Sequence, residues 1–100
     1  MKEYNVRILQ AAKNDFLDIE DHLSTLPPEA ATKYYDLIME KMGILTSTPE
    51  CCPLVRDAQL RLRGYRTLPI EDYIVFFIIN GKNVELRRIL YARRQYERLV

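Results

Sequence analysis

Apolar and polar residues alternate at the start of the chain, where Tyr4, Val6 and Ile8 are separated by Asn5 and Arg7. A period of two predicts a half-buried strand. From Ala11 the period lengthens. Ala12, Phe16, Ile19, Leu23 and Leu26 fall at helical spacing, with Lys13, Asn14, Asp15, Asp18, Glu20 and Asp21 on the other faces. Pro27-Pro28 ends that helix, and Pro28 suits the first turn of the next one, where a missing N–H breaks no intrahelical bond. Ala31, Tyr34 or Tyr35, Ile38, Met42 and Leu45 then form a second apolar stripe. Two amphipathic helices joined by a two-proline turn predict an antiparallel hairpin laid on a flat layer.

Residues 46–60, with Pro49 and Pro53, read as the one long irregular stretch. From Leu62 onward the signal is β. Tyr65 to Ile70 contains Pro69, which suits an edge strand or a strand end. Tyr73 to Ile79 is apolar on both faces and belongs in the middle of a sheet. Asn80-Gly81 is a hairpin signal, read with both residues at positive φ, and Val84, Leu86, Ile89, Leu90 and Tyr91 make the return strand. Arg93 to Val100 reads as a short helix or tail. The predicted fold is α+β in the order β-α-α-β-β-β, a helix hairpin on a mainly antiparallel four-stranded sheet.

Its 100 residues suit a single domain over 1–100. The longest strongly apolar run, seven residues from Tyr73 to Ile79, is far short of the about 20 that cross a bilayer as a helix. No apolar leader follows Met1, so a cytoplasmic protein without membrane contact is expected. Cys51 and Cys52 are adjacent, and neighbouring cysteines strain a disulfide, so reduced thiols are expected. Two cysteines with the single His22 fall short of a structural zinc set.

Charge changes the picture more. The net of +1 combines −4 over residues 1–53 with +5 over residues 54–100, and nine of the ten basic groups in the second half are arginine. Either the C-terminal half presents a basic face, or the two halves pair with each other. No phosphate-binding loop, nucleophile elbow or zinc-protease motif is present. His22 reads as a surface residue beside Asp18, and Asp15, Asp18, Glu20 and Asp21 read as a solvated helix surface rather than a metal cluster. The chemistry therefore rests on Arg61, Arg63, Arg66, Arg87, Arg88, Arg93, Arg94 and Arg98, interleaved with Tyr91 and Tyr96. On adjacent strands they can converge on the sheet face left uncovered by the helices, or on its rim. Arginine with tyrosine suits phosphates and bases, and equally a protein interface. A third reading pairs these arginines with acids of the first helix.

Two blocks narrow the choice. Arg63 to Phe77 and Val84 to Tyr96 resemble the RelE/ParE superfamily of bacterial toxins, through Arg66, Leu68, Ile70, Tyr73, Val75 and Phe77, then Arg88, Ile89, Leu90, Arg93, Arg94 and Tyr96. The resemblance extends over nearly the whole chain and implies the toxin of a type II toxin–antitoxin pair, silenced by a cognate antitoxin protein. RelE-like members cut messenger RNA on the ribosome without metal or cofactor; ParE-like members bind and poison DNA gyrase. RelE-like nucleases carry lysines where this chain has Tyr65, Arg66 and Thr67, and an arginine where it has Ile74. Tyr96 comes early for the C-terminal tyrosine of that pattern, whose place Leu99 takes. The ending Arg93-Arg94-x-Tyr96 is more ParE-like. The expectation is a growth-inhibiting toxin with a lean to the gyrase-directed mode. As an enzyme it would be a metal-independent endoribonuclease. Arg66 and Arg93 or Arg94 would then steady the phosphate, with Tyr91 or Tyr96 as the proton-transfer or stacking group. A degenerate family member serving only as an interaction module is the remaining alternative.

Overall fold

The computed structural model describes residues 3–92. The chain runs β1 (Asn5–Ile8), α1 (Gln10–Leu23), α2 (Pro28–Ser47), a 3₁₀ turn (Pro49–Cys51), α3 (Ala58–Leu62), β2 (Tyr65–Ile70), β3 (Tyr73–Asn80) and β4 (Asn83–Tyr91). The sheet order is β1-β4-β3-β2, with β1 parallel to β4 and the other pairs antiparallel. The α+β architecture and the helix hairpin expected from the sequence are therefore present. The long run Tyr73–Ile79 lies inside the sheet, and the proline-bearing β2 stands at its edge. Residues 93–100 lie outside the described residues, and with them the expected C-terminal helix or tail.

One face of the sheet packs against the hairpin. Ala12, Ile19 and Leu23 of α1 and Ile38 and Leu45 of α2 share a core with Val75, Phe77, Val84 and Leu86. These are the positions that the helical and strand periods selected. The opposite face departs from the expectation of an open platform. Tyr65, Phe76 and Leu90 form a second buried cluster there, closed over by Val55 and Leu60. The stretch read as irregular supplies this cover. Asp57 caps α3 by accepting from the Leu60 N–H at 3.0 Å, which turns the chain so that Leu60 points inward. Before it, the Val55 N–H donates to Tyr65 O and the Thr67 N–H to Pro53 O, so residues 53–55 run along the outer edge of β2.

Both hairpins turn in two residues. Asn80 pairs with Asn83, so the central residues are Gly81 and Lys82, one position later than the Asn80-Gly81 reading. Only Gly81 has positive φ, +63°, the pattern of a turn with glycine in first central place. Ile70 pairs with Tyr73 across Glu71 and Asp72, and Glu71 has φ 53° despite its side chain. Between β3 and β4 the register slips: Phe77 faces Leu86 while Phe76 faces Arg88, leaving Arg87 as the extra residue of a β-bulge.

Candidate functional site

Among the described residues, the arginines that looked convergent along the chain are separated by the fold. Arg66, on edge strand β2, turns back over the loop before it. Its guanidinium donates to Cys52 O at 2.6 Å and to Glu50 O at 3.3 Å. Arg61 donates through Nε to Val55 O at 2.9 Å and through Nη2 to Arg56 O at 3.0 Å. Both side chains fasten the segment that covers the second sheet face. Arg87, thrown outward by the bulge, lies 5.7 Å over the Tyr65 ring and 3.5 Å from Glu85.

Arg88, the residue after the bulge, reaches instead to α1. Its Nε and Nη2 donate to the two carboxylate oxygens of Asp15 at 2.7 and 3.0 Å, a bidentate pair. Asp15 also accepts the Ile89 N–H at 2.9 Å and is 8% exposed. This bond to Asp15 holds the Arg88 guanidinium on its proton, above the ordinary arginine value, against an opposing effect of burial. The sequence reading that placed Asp15 on a solvated surface is thus corrected. The signal for burial was present, since Asp15 lies three residues after Ala12 and four before Ile19, on the stripe that meets the sheet. For Arg88, the pairing with α1 acids, held open among the sequence readings, is the one realised.

Tyr91 ends β4, 38% exposed. Its ring stands edge-on to Tyr73 at 5.6 Å, and Tyr73 meets Tyr34 of α2 edge-on at 6.1 Å. The Tyr34 hydroxyl lies 3.4 Å from both the Asp72 carboxylate and the Asp72 N–H. Burial raises the Tyr34 and Tyr73 phenols above their ordinary value. The sequence named Tyr91 but missed the ladder behind it, because its three rings come from separate elements. An open groove of about 330 Å³ flanks Tyr91, bordered by Asp18, His22 and Ile89. Arg93, Arg94 and Tyr96 follow directly in sequence and lie outside the described residues.

A second surface lies on the hairpin. Ile8, Phe16, Ile19, Leu23, Tyr35, Ile38 and Met39 border an apolar groove of about 220 Å³ between α1 and α2. Tyr35 is 52% and Met39 55% exposed, large apolar areas for a helix surface facing solvent. Cys51 is exposed and Cys52 buried, and burial raises the Cys52 thiol. Among the described residues, no three His, Cys, Asp or Glu side chains gather as they would around a metal ion. No helix among them is long and apolar enough to cross a membrane.

Comparison with known proteins places this geometry. The family described as ParE toxin of type II toxin-antitoxin system, parDE, matches residues 6–96. A solved structure of the chromosomal ParDE toxin–antitoxin system of P. aeruginosa is similar at 25% identity, with a TM-score of 0.71, over 93% of this chain and 100% of that one. The toxin–antitoxin complex RelBE2 of Mycobacterium tuberculosis shares the fold at 21% identity, with a TM-score of 0.56, over 89% of this chain and 98% of that one. No curated protein sequence matches. With the family match spanning nearly the whole of a chain folded as a helix hairpin on a four-stranded sheet, the protein belongs to the ParE toxin family of type II toxin–antitoxin systems.

Proposed function

We propose that this toxin arrests growth in the cytoplasm by binding DNA gyrase rather than by cutting RNA, and that its cognate antitoxin silences it across the helix hairpin. The observation that carries the non-hydrolytic reading is the second sheet face. RNA cleavage by 2′-hydroxyl attack needs a base, a cation on the phosphate and an acid, all presented to one open surface. Here that face is filled by Tyr65, Phe76 and Leu90 under Val55 and Leu60. Arg66 is engaged by loop carbonyls and Arg88 by Asp15. Binding a large partner asks less: an exposed aromatic with cations near it in the chain can serve as an anchor. Tyr91, with Arg93, Arg94 and Tyr96 after it, is assigned that role.

The antitoxin is assigned to the apolar groove around Phe16, Tyr35 and Met39. Its largely apolar lining suits an amphipathic segment whose apolar side chains are spaced as on a helix. Acidic groups at the ends of such a segment would meet the arginine-rich half of the chain.

Induced alone, the protein is expected to stop growth while primer extension over the first minutes shows intact messages. Co-expression of the antitoxin restores growth. Messages cut within codons before growth stops would overturn the gyrase reading in favour of a ribosome-dependent nuclease. Unimpaired growth at verified expression would remove the toxic activity altogether.

A further inference from the structure

Strand β1 ends at Ile8, opposite Leu86, although β4 continues to Tyr91. Among the described residues, no strand lies beside the outer side of β4 past Leu86. The Leu9 N–H bonds to Leu86 O at 3.1 Å, after which the chain departs into α1. A buried N–H in such a place needs another acceptor. Asp15 supplies it: one carboxylate oxygen accepts the Ile89 N–H at 2.9 Å and the Arg88 Nε at 2.7 Å, and the other accepts Arg88 Nη2 at 3.0 Å. Three donors from two consecutive β4 residues thus converge on one side chain of α1.

The location gives the contact its consequence. It lies immediately after the bulge at Arg87, where the ladder between β3 and β4 is interrupted. Beyond it β4 has two further residues, Leu90 and Tyr91, before the Ala92 N–H closes on Asp72 O at 2.8 Å. The end of β4 is thus held on one side by β3 and on the other by a carboxylate. A charged, bidentate and largely desolvated pair keeps its geometry better than a surface ion pair does.

We propose that Asp15 is a positioning residue. Its carboxylate takes the place of a neighbouring strand at the end of β4 and fixes the position of Tyr91. This rests on the target-contact role assigned above to Tyr91. Asp15 touches no target itself; it acts through Arg88 and Ile89.

Asparagine at position 15 keeps the size and one acceptor but loses the charge that holds the arginine fork. In Asp15→Asn, backbone amides of residues 87–92 are expected to exchange with deuterium at least about ten-fold faster, a 1.4 kcal/mol change in local opening. Amides in the middle of β3 should keep wild-type rates. Growth arrest should weaken. Arg88→Lys keeps the charge and the Ile89 bond, and should give a smaller acceleration confined to the same amides. Wild-type exchange at 87–92 in both variants would overturn the proposal, as would a uniform acceleration across the sheet. Full growth arrest by an Asp15→Asn protein with a loosened strand end would also overturn it. If the wild-type protein itself does not arrest growth, the toxin reading fails, and the exchange comparison still decides whether Asp15 holds the strand end.

Discussion

Removing the Arg66 side chain would leave the Cys52 and Glu50 carbonyls without its guanidinium. A hydrogen bond from a charged donor to a partly buried carbonyl is worth about 1–3 kcal/mol when its loss strands the acceptor. Arg66→Ala is accordingly expected to lower unfolding free energy by about that amount in denaturant titration. Growth arrest should persist wherever the variant is still folded. Lost toxicity at unchanged stability would instead put Arg66 on the target. This residue marks the limit of a sequence reading. Its type and strand position were legible, but its partners lie 14 and 16 residues earlier in the chain. Asp15 and Arg88 are 73 positions apart, and only the crossing of α1 over β4 brings them together. Periodicity reports which face a residue occupies, not which polar group waits there.

The long elements were legible because each repeats its own signal. Pro28 opens α2 as its missing N–H predicts, and the doubly apolar β3 is buried on both sides. The short elements were not. Helix α3 has five residues, too few for a periodic stripe, and rests on the Asp57 cap and the inward Leu60. The two tight turns show how local chemistry shifts a boundary. Gly81 carries the positive φ in one, and Glu71 carries it in the other at φ 53°. An L residue in that region costs about 1–2 kcal/mol, partly offset by the extra freedom that glycine has when unfolded. Glu71→Gly should therefore raise stability by roughly 0.5–1 kcal/mol. The melting temperature measures it, and a lower value would show that the Glu71 side chain contributes more than its backbone costs.

At the scale of the whole molecule, the sheet is sandwiched between the helix hairpin and the α3 segment, with an aromatic ladder along one end. Tyr73 and Tyr34 are raised above 10.0, chiefly by burial. A phenol whose folded value exceeds its unfolded value stabilises the fold fully below the unfolded value, and the contribution is lost as pH rises through the folded one. Melting temperature should thus hold from neutral pH to about 10 and then fall, as tyrosinate is forced into buried sites. A flat profile well above that range would mean the ladder opens to water at no cost. With that face covered, the target contact proposed above is assigned to Tyr91 at the end of β4.

The most direct measurement is supercoiling of relaxed plasmid by purified DNA gyrase in the presence of the purified toxin. The wild-type protein should block supercoiling or trap cleaved DNA. The double substitution Arg93→Ala with Arg94→Ala should require at least about ten-fold more protein, a loss of about 1.4 kcal/mol of binding, whereas His22→Ala should match wild type. Undisturbed supercoiling at concentrations that arrest growth, or equal inhibition by the double variant, would contradict the account.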